Sequence, residues 1–394
     1  MGITLSIRNA KGTSLSATAW TELVSAIHAG NCQAVIAVTG GGSKAISQLL
    51  EVPGGSRTLL EAVVPYSQSA LEDWLGGAVE QACSEPTARA MAMAAWMRAR
   101  RLAPAADPHS LLGVGATASL ASDRPKQGQH RVHVGVQTAT VTSSFTLPLT
   151  KGARDRKKEE WLAAKLVLTV LGEAAAVDVT EARQALLEQL HDHEPLELRH
   201  KNADAAWTAI LLGQRDCAPH AANVRAIFPG AYNPPHAGHL RMARCAADRL
   251  GEPVAYELSL TNVDKPPLDF LEIAQRLDAL RTLDSEAMVL VTDAPTFRQK
   301  SALAPGCTFV VGADTLVRIA DPRYYEGGQQ GLATALAEIA ARGCRFLVFG
   351  RQLNGRFQTL SDLAIPAALR TLCDEVPAAE FREDVSSTEL RTQK

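Results

Sequence analysis

Apolar residues recur along this chain in two alternating rhythms, one at helical spacing and one in short unbroken runs of β type. Residues 20–28 carry the helical period. Residues 33–38 (QAVIAV) form a buried-strand pattern ending at Thr39-Gly40-Gly41-Gly42, and residues 43–50 begin the next helix. Residues 59–64 are apolar and β-like. Residues 88–102 make an Ala/Met-rich helix with Arg98, Arg100 and Arg101 near its C-terminal end, where cations suit the helix dipole. Strand patterns follow at 130–136 and 138–147, the second rich in Thr and Val. The mixed charge run 151–160 leads into an apolar helix at 161–171 and is expected to be a solvated helix start.

From 178 to about 222 the composition turns charged, with helical spacing at 180–190 and 203–212 and punctuation at Gly213 and Pro219. His191, His193, His200 and His220 fall here without the spacing of metal ligands. Beyond Val224, strand patterns at 224–228, 254–258, 288–292, 308–311 and 346–349 are interleaved with helices, clearest at 240–250 and 271–280. That order predicts a parallel sheet with helices on both faces and ligands at the C-terminal ends of its strands. The expected architecture is α/β in two domains. Residues 1–175 form the first, 176–222 a helical connector, and 223–394 a Rossmann-like parallel sheet.

Length and composition agree with this. The chain has 394 residues, 46% of them hydrophobic, enough for two cores. A net charge of −2 provides no global basic field, so nucleic acid is not an expected partner. No uninterrupted apolar span reaches membrane length, and the opening MGITLSIRNAKGTSLS lacks a signal-peptide core. A cytoplasmic protein with no membrane partner is expected. The cysteines at 32, 83, 217, 245, 307, 344 and 373 are scattered and form no C-x-x-C, which points to reduced thiols.

Candidate chemistry concentrates at 227–243, IFPGAYNPPHAGHLRMA. Pro234 and Pro235 fix a turn, and Gly238 permits close backbone approach. His236 and His239, three apart at a helix start, share one face. A helix N-terminus offers unpaired N–H groups and positive potential to an anion, so two imidazole donors there suit phosphate chemistry. Far along the chain, Ser386 and Glu389 form an S-x-x-E capping box. The N–H groups of that helix start, the hydroxyls of Ser387 and Thr388, and the Arg391 guanidinium could together grip phosphates. After the strand at 308–311, Gly312 permits close approach, and Asp314 either accepts from ribose hydroxyls or caps a helix.

The string Gly230-Ala231-Tyr232-Asn233-Pro234-Pro235-His236-Ala237-Gly238-His239 resembles the H-x-G-H motif of the nucleotidylyltransferase superfamily. In its longer form it resembles the nicotinamide or nicotinate mononucleotide adenylyltransferase branch. Residues 384–391 resemble that family's I-S-S-T-x-x-R motif, with Val385 for Ile, and Gly312 with Asp314 matches its G-x-D segment. The resemblance implies an enzyme that transfers AMP from ATP to a pyridine mononucleotide, releasing pyrophosphate and forming a dinucleotide, in NAD biosynthesis or salvage. Magnesium is implied with the triphosphate, without a dedicated carboxylate cage in the protein. The implied catalytic donors are His236 and His239, the latter the stronger. Gly230, Ala231, Tyr232, Lys265, Ser387, Thr388, Arg391 and Arg351 are implied at ATP and its phosphates, and Gly312 and Asp314 at the ribose. The family usually has Ser or Thr and then Phe where this chain has Ala231 and Tyr232. The aromatic that stacks on the pyridine is left open among Phe297, Tyr324 and Tyr325. Two alternatives stay open: a different phosphate acceptor, and a non-catalytic nucleotide sensor.

Residues 1–175 resemble the C-terminal domain of competence-damage-inducible (CinA-like) proteins, in many members a nicotinamide-nucleotide amidase. The matching stretches are VTGG at 38–41, VPGGS at 52–56, VPYS at 64–67 and GVGAT at 113–117. The family's nucleophilic serine falls on Ala37 and its lysine on Leu71, so amide hydrolysis by that route is not expected. Ser43, Ser56 and Thr117 are the candidate substitutes. Because glycine-rich turns persist, a nucleotide-binding or homo-oligomerising role is expected of this domain.

Overall fold

Two seven-stranded sheets organise the chain, each with its own core. The structure, a computed structural model, describes residues 3–4, 17–123, 127–221, 223–261, 268–353 and 355–383. Among them no helix is long and apolar enough to cross a membrane. The chain divides into two compact units, with one boundary after Thr208.

The first unit contains β1 (Ile3–Thr4), α1 (Ala17–Ala29), β2 (Gln33–Thr39), α2 (Lys44–Glu51), α3 (Gly55–Thr58), β3 (Leu59–Val63), α4 (Gln68–Leu75) and α5 (Glu85–Leu102). There follow β4 (Leu111–Ser119), β5 (His130–Gln137), β6 (Val141–Leu149), α6 (Arg156–Ala174), α7 (Thr180–Leu187) and β7 (Glu197–Asn202). The sheet order is β1-β7-β6-β5-β4-β2-β3. β2 runs parallel to β3 and β4, and the remaining pairs are antiparallel. One face packs Ile36, Val38, Val114, Val132 and Val134 against α1, α6 and α7. Strand β6 begins at Val141, later than its Thr-rich pattern suggests. The Thr138 hydroxyl accepts from the N–H groups of Thr140 and Val141 and so makes the start of that run a turn.

The other face is where the structure departs most from the sequence reading. The glycines at 113–117 do not build a turn; they lie in β4, flanked by β2 and β5. Helix α5 lies so close to this strand that a Cβ on Gly115 would sit 2.4 Å from the Ala88 carbonyl oxygen and the Ala92 nitrogen. Glycine here is a packing requirement between helix and sheet. Part of the charge run 151–160 is also buried, although Asp155 caps α6 as a helix start should. Glu159 is fully buried on His130 Nδ1 at 2.8 Å and the Ala121 N–H at 2.6 Å.

The stretch 176–222 is not simply a helical connector. Helix α7 contributes Ala182, Ala185 and Leu186 to the first core, and β7 pairs with β6. The six residues of β7, ELRHKN, carry little apolar periodicity, so pairing rather than burial makes the strand. Helix α8 (Ala205–Leu211) follows. A later stretch, described from Leu268 to Leu271, also belongs to the first unit. There Asp269 accepts from the buried Arg89 guanidinium at 2.6 Å, and the Phe270 N–H donates to the Thr142 hydroxyl at 3.0 Å.

The second unit comprises β8 (Cys217–Ala218), β9 (Ala226–Pro229), α9 (Ala237–Leu250), β10 (Val254–Ser259), most of α10 (Phe270–Leu283), β11 (Val289–Thr292) and α11 (Phe297–Leu303). It continues with β12 (Thr308–Gly312), α12 (Ala313–Ile319), α13 (Gln329–Ala341), β13 (Arg345–Phe349), the hairpin β14 (Arg351–Leu353) and β15 (Arg356–Gln358), α14 (Ala367–Arg370) and β16 (Cys373–Val376). The order is β16-β13-β12-β9-β10-β11-β8, parallel throughout except for β8. Alternation assigns the faces: Ile227, Phe309, Val311, Phe346 and Val348 to one core, and Phe228, Val310, Leu347 and Phe349 to the other. This is the expected Rossmann-like sheet. From β9 the chain adds β10 on one side and later β12 on the other, so the strand order reverses between β9 and β12. Ligands of open α/β sheets bind at such a switch point, outside the C-terminal strand ends.

Gly115→Ala is expected to lower stability by about 2–4 kcal/mol in denaturant unfolding, because backbone atoms of α5 cannot yield to the new methyl group. Gly128→Ala, which meets nothing within 4 Å, should change stability by less than about 0.5 kcal/mol. Equal effects of the two would contradict the packing account.

Candidate functional site

Three adjacent strand ends, those of β9, β12 and β13, carry the predicted residues that the structure describes in the second unit. After β9 the chain turns through Gly230–Pro235 and enters α9 with His236 as its N-cap. The His236 Nδ1 accepts from the Gly238 N–H at 3.1 Å, and the His239 Nδ1 accepts from the His236 N–H, also at 3.1 Å. The two rings lie 3.8 Å apart between centroids. An imidazole nitrogen that accepts a hydrogen bond carries no proton, so in each neutral ring the hydrogen is on Nε2. Both side chains are thereby fixed as Nε2–H donors. The Nε2 of His236 is buried and lacks a hydrogen-bond partner among the described residues.

Electrostatics reinforce the neutral form. Burial, then His236 and the Arg351 guanidinium, depress the His239 pKa to about 3. Burial, Arg351 and Arg241 lower that of His236. Arg351, which opens β14 after β13, lies with its Nε 3.8 Å from Asp314 Oδ1. Asp314 stands in the first turn of α12, whose N-cap is Gly312, and it is half exposed. A Cβ on Gly312 would come within 2.3 Å of Asp314 Oδ1 and 3.0 Å of the Arg351 side chain, so glycine makes room for both. Two neutral donors, a guanidinium and a carboxylate thus gather at the switch point, suited to phosphate on one side and hydroxyls on the other.

Tyr232, implied at ATP and its phosphates, keeps its ring inside the protein. Its side chain is buried, its hydroxyl donates to the Phe228 carbonyl, and its ring edge packs on His239 at 5.2 Å. It folds over Gly230, where a Cβ would meet the phenol ring at 2.5 Å. The phenol is therefore internal. Among the aromatic candidates, Phe297 packs into the core against Phe309 and Phe346, and Tyr325 is tied by its hydroxyl to the Ile319 carbonyl. Tyr324 has the Arg323 guanidinium 4.6 Å from its ring centre. Lys265, Ser387, Thr388 and Arg391 lie outside the described residues. The last described residue, Glu383, packs on Gly238 and pairs with Arg241.

Sequence reasoning missed two groups under the loop. Arg276 on α10 donates to the Ala231 carbonyl at 2.8 Å. Glu257, within the apolar strand β10, is buried on Lys300 at 2.7 Å and on the Thr292 hydroxyl. A carboxylate inside an apolar strand pattern was the available signal, since a buried charge requires a partner. Among the described residues no group of three or more His, Cys, Asp or Glu could hold a metal. His193 and His200 instead bond with Thr150 and with Ser143 and Asn202.

In the first unit, Ala37 and Leu71 meet in one small apolar cluster with Leu75, Ala90 and Met91. Both side chains are packed against hydrocarbon. The glycine-rich loop after β2 is filled as well. Gly42 N–H, Lys44 N–H and the Ser43 hydroxyl all donate to the Glu160 carboxylate, at 3.0, 3.2 and 2.9 Å. Thr117 donates to the Ala82 carbonyl, and Ser56 is exposed.

The unfolded chain takes up a proton on His239 near pH 6.5, whereas the folded site resists it until about pH 3. This contribution to stability is present above pH 6.5 and is lost as pH falls from there toward 3. In an NMR titration the His239 ring should stay in the neutral Nε2–H form from pH 8 to about 4. A titration midpoint near 6.5 would contradict the burial and hydrogen bonding described.

Comparisons with known proteins divide along the same lines. Residues 227–393 match the model of the cytidylyltransferase-like family. A Gloeobacter violaceus protein named as a nicotinate-nucleotide adenylyltransferase is 31% identical over 182 residues, 42% of this chain and 82% of that protein. A Schizosaccharomyces pombe protein named as a nicotinamide mononucleotide adenylyltransferase is 28% identical over 177 residues, 42% of this chain and 68% of that protein. Among solved structures, the competence/damage-inducible protein CihA of Agrobacterium tumefaciens is 20% identical, covering 39% of this chain and 94% of its own, with a TM-score of 0.32. A CinA superfamily protein of Klebsiella pneumoniae is 19% identical, covering 41% and 99%, also with a TM-score of 0.32. The histidine pair and its strand-end setting thus lie within a matched domain, and through that domain the chain belongs to the cytidylyltransferase-like family of nucleotidyltransferases.

Proposed function

We propose that the second unit transfers the adenylyl group of ATP to a nicotinamide or nicotinate mononucleotide. The observation that carries this reading is the pair of Nε2–H donors on His236 and His239, set beside Arg351 and Asp314 at the switch point of the sheet. The acceptor's phosphate oxygen attacks the α-phosphorus of ATP, the bond from that phosphorus to the bridging oxygen breaks, and pyrophosphate leaves with the electron pair. No protein nucleophile takes part. The protein aligns the two phosphates and supplies donors where negative charge grows on the phosphoryl oxygens. Neutral imidazoles with depressed pKa values act here as hydrogen-bond donors rather than as acids.

Magnesium bound to the triphosphate would offset part of its charge, and His236, His239 and Arg351 would address the remainder. Asp314 is assigned to the ribose hydroxyls and Arg351 to a phosphate. Glu383, resting on Gly238, brings the chain beside the histidines just before the segment with Ser387, Thr388 and Arg391, which this reading assigns to the β- and γ-phosphates. The names of the two curated relatives support a pyridine mononucleotide as acceptor.

The test is pyrophosphate release from Mg-ATP with a panel of mononucleotide and phosphate acceptors. Release with nicotinamide or nicotinate mononucleotide is expected, and His239→Ala should slow it about 10²–10³-fold. Release only with other acceptors would move the assignment to a different substrate. Near-wild-type turnover in His239→Ala would overturn the site.

A further inference from the structure

The loop leading to the histidines is tied at each of three consecutive residues. Gly230 N–H donates to the Glu257 carbonyl at 3.0 Å, the Ala231 carbonyl accepts from Arg276 Nη1 at 2.8 Å, and the Tyr232 hydroxyl donates to the Phe228 carbonyl. Arg276 is the one of these partners that reaches the loop through a side chain. It is buried, and its Nε and Nη2 each lie 2.8 Å from the Glu272 carboxylate one turn earlier on α10. The guanidinium is thus anchored to its own helix while its remaining nitrogen holds the loop, a bridging geometry suited to its planar fork.

That contact has a directional consequence. The carbonyl and N–H of a trans peptide point in opposite directions. Turning the Ala231 carbonyl onto Arg276 therefore turns the Tyr232 N–H away from α10. Tyr232 itself has φ of 47°, in the left-handed region that L side chains rarely adopt. Such a conformation persists only where its surroundings over-determine it. Here they do so on both sides, with Arg276 on the preceding carbonyl and the buried ring against His239.

We propose that Arg276 is a positioning residue for nucleotidyl transfer, holding the Ala231 carbonyl and thereby setting the Tyr232 backbone and the ring that supports His239. This rests on the transfer reading given above, but its geometry can be tested without turnover. Lysine at this position has one ammonium in place of the fork and cannot hold Glu272 and Ala231 in the same way.

The experiment compares the full-length wild type with Arg276→Gln, Arg276→Lys and Arg281→Gln; Arg281 is an exposed arginine on the same helix. In Arg276→Gln, the Tyr232 amide and His239 ring NMR signals should shift, and kcat for pyrophosphate release should fall about 10–100-fold at a melting temperature within a few degrees of wild type. Arg276→Lys should recover part of that loss, and Arg281→Gln should match wild type in both readouts. Wild-type Tyr232 and His239 signals together with wild-type kinetics in Arg276→Gln would overturn the proposal. So would a loss of activity matched by a loss of folded protein. Should the wild type release no pyrophosphate, the transfer reading fails, and the NMR shifts alone decide whether Arg276 sets the loop.

Discussion

A backbone N–H aimed at an imidazole nitrogen decides which nitrogen of that ring keeps its hydrogen, and the site depends on this constraint. In a helix N-cap the chain must find acceptors for its first N–H groups. Here it finds them in two histidine Nδ1 atoms instead of a serine or aspartate oxygen. One arrangement therefore caps the helix and fixes two Nε2–H donors in a single tautomer. Burial and the Arg351 charge work in the same direction, because each disfavours a second proton on the rings. The sheet supplies the location, since β9 borders β12 where the strand order reverses.

Much of this was legible in the sequence, and the reasons differ by residue. His236 and His239 could be placed because spacing three at a helix start is local geometry, and the strands around them because their apolar runs are bounded by turns. The tautomer could not be read, since it depends on which backbone group faces which nitrogen. Arg276 lay hidden on an amphipathic helix, where an arginine ordinarily faces solvent. Glu257 left a trace as a charge inside an apolar strand. The burial of the Tyr232 ring could not be read either, because a motif position names a residue type and not whether its ring faces ligand or core.

The first unit shows how a glycine's meaning depends on its tertiary neighbours. Gly113 and Gly115 look like turn residues and instead admit a helix against a strand flanked on both sides. The glycine-rich loop after β2 resembles a phosphate cradle, yet its Gly42 and Lys44 amides already serve Glu160, a residue hidden in a run expected to be solvated. Ala37 and Leu71, on which the sequence resemblance places a nucleophile and a base, meet as hydrocarbon neighbours. The chemistry argued for this chain is that of the second unit.

The most direct measurement is a crystal structure with magnesium and an ATP analogue whose α–β bridge is methylene. The account predicts phosphate oxygens within about 3 Å of Nε2 on both His236 and His239, with each Nδ1 still on its backbone N–H. An analogue bound away from the β9 and β12 strand ends, or rings turned so that Nδ1 faces the phosphates, would contradict it.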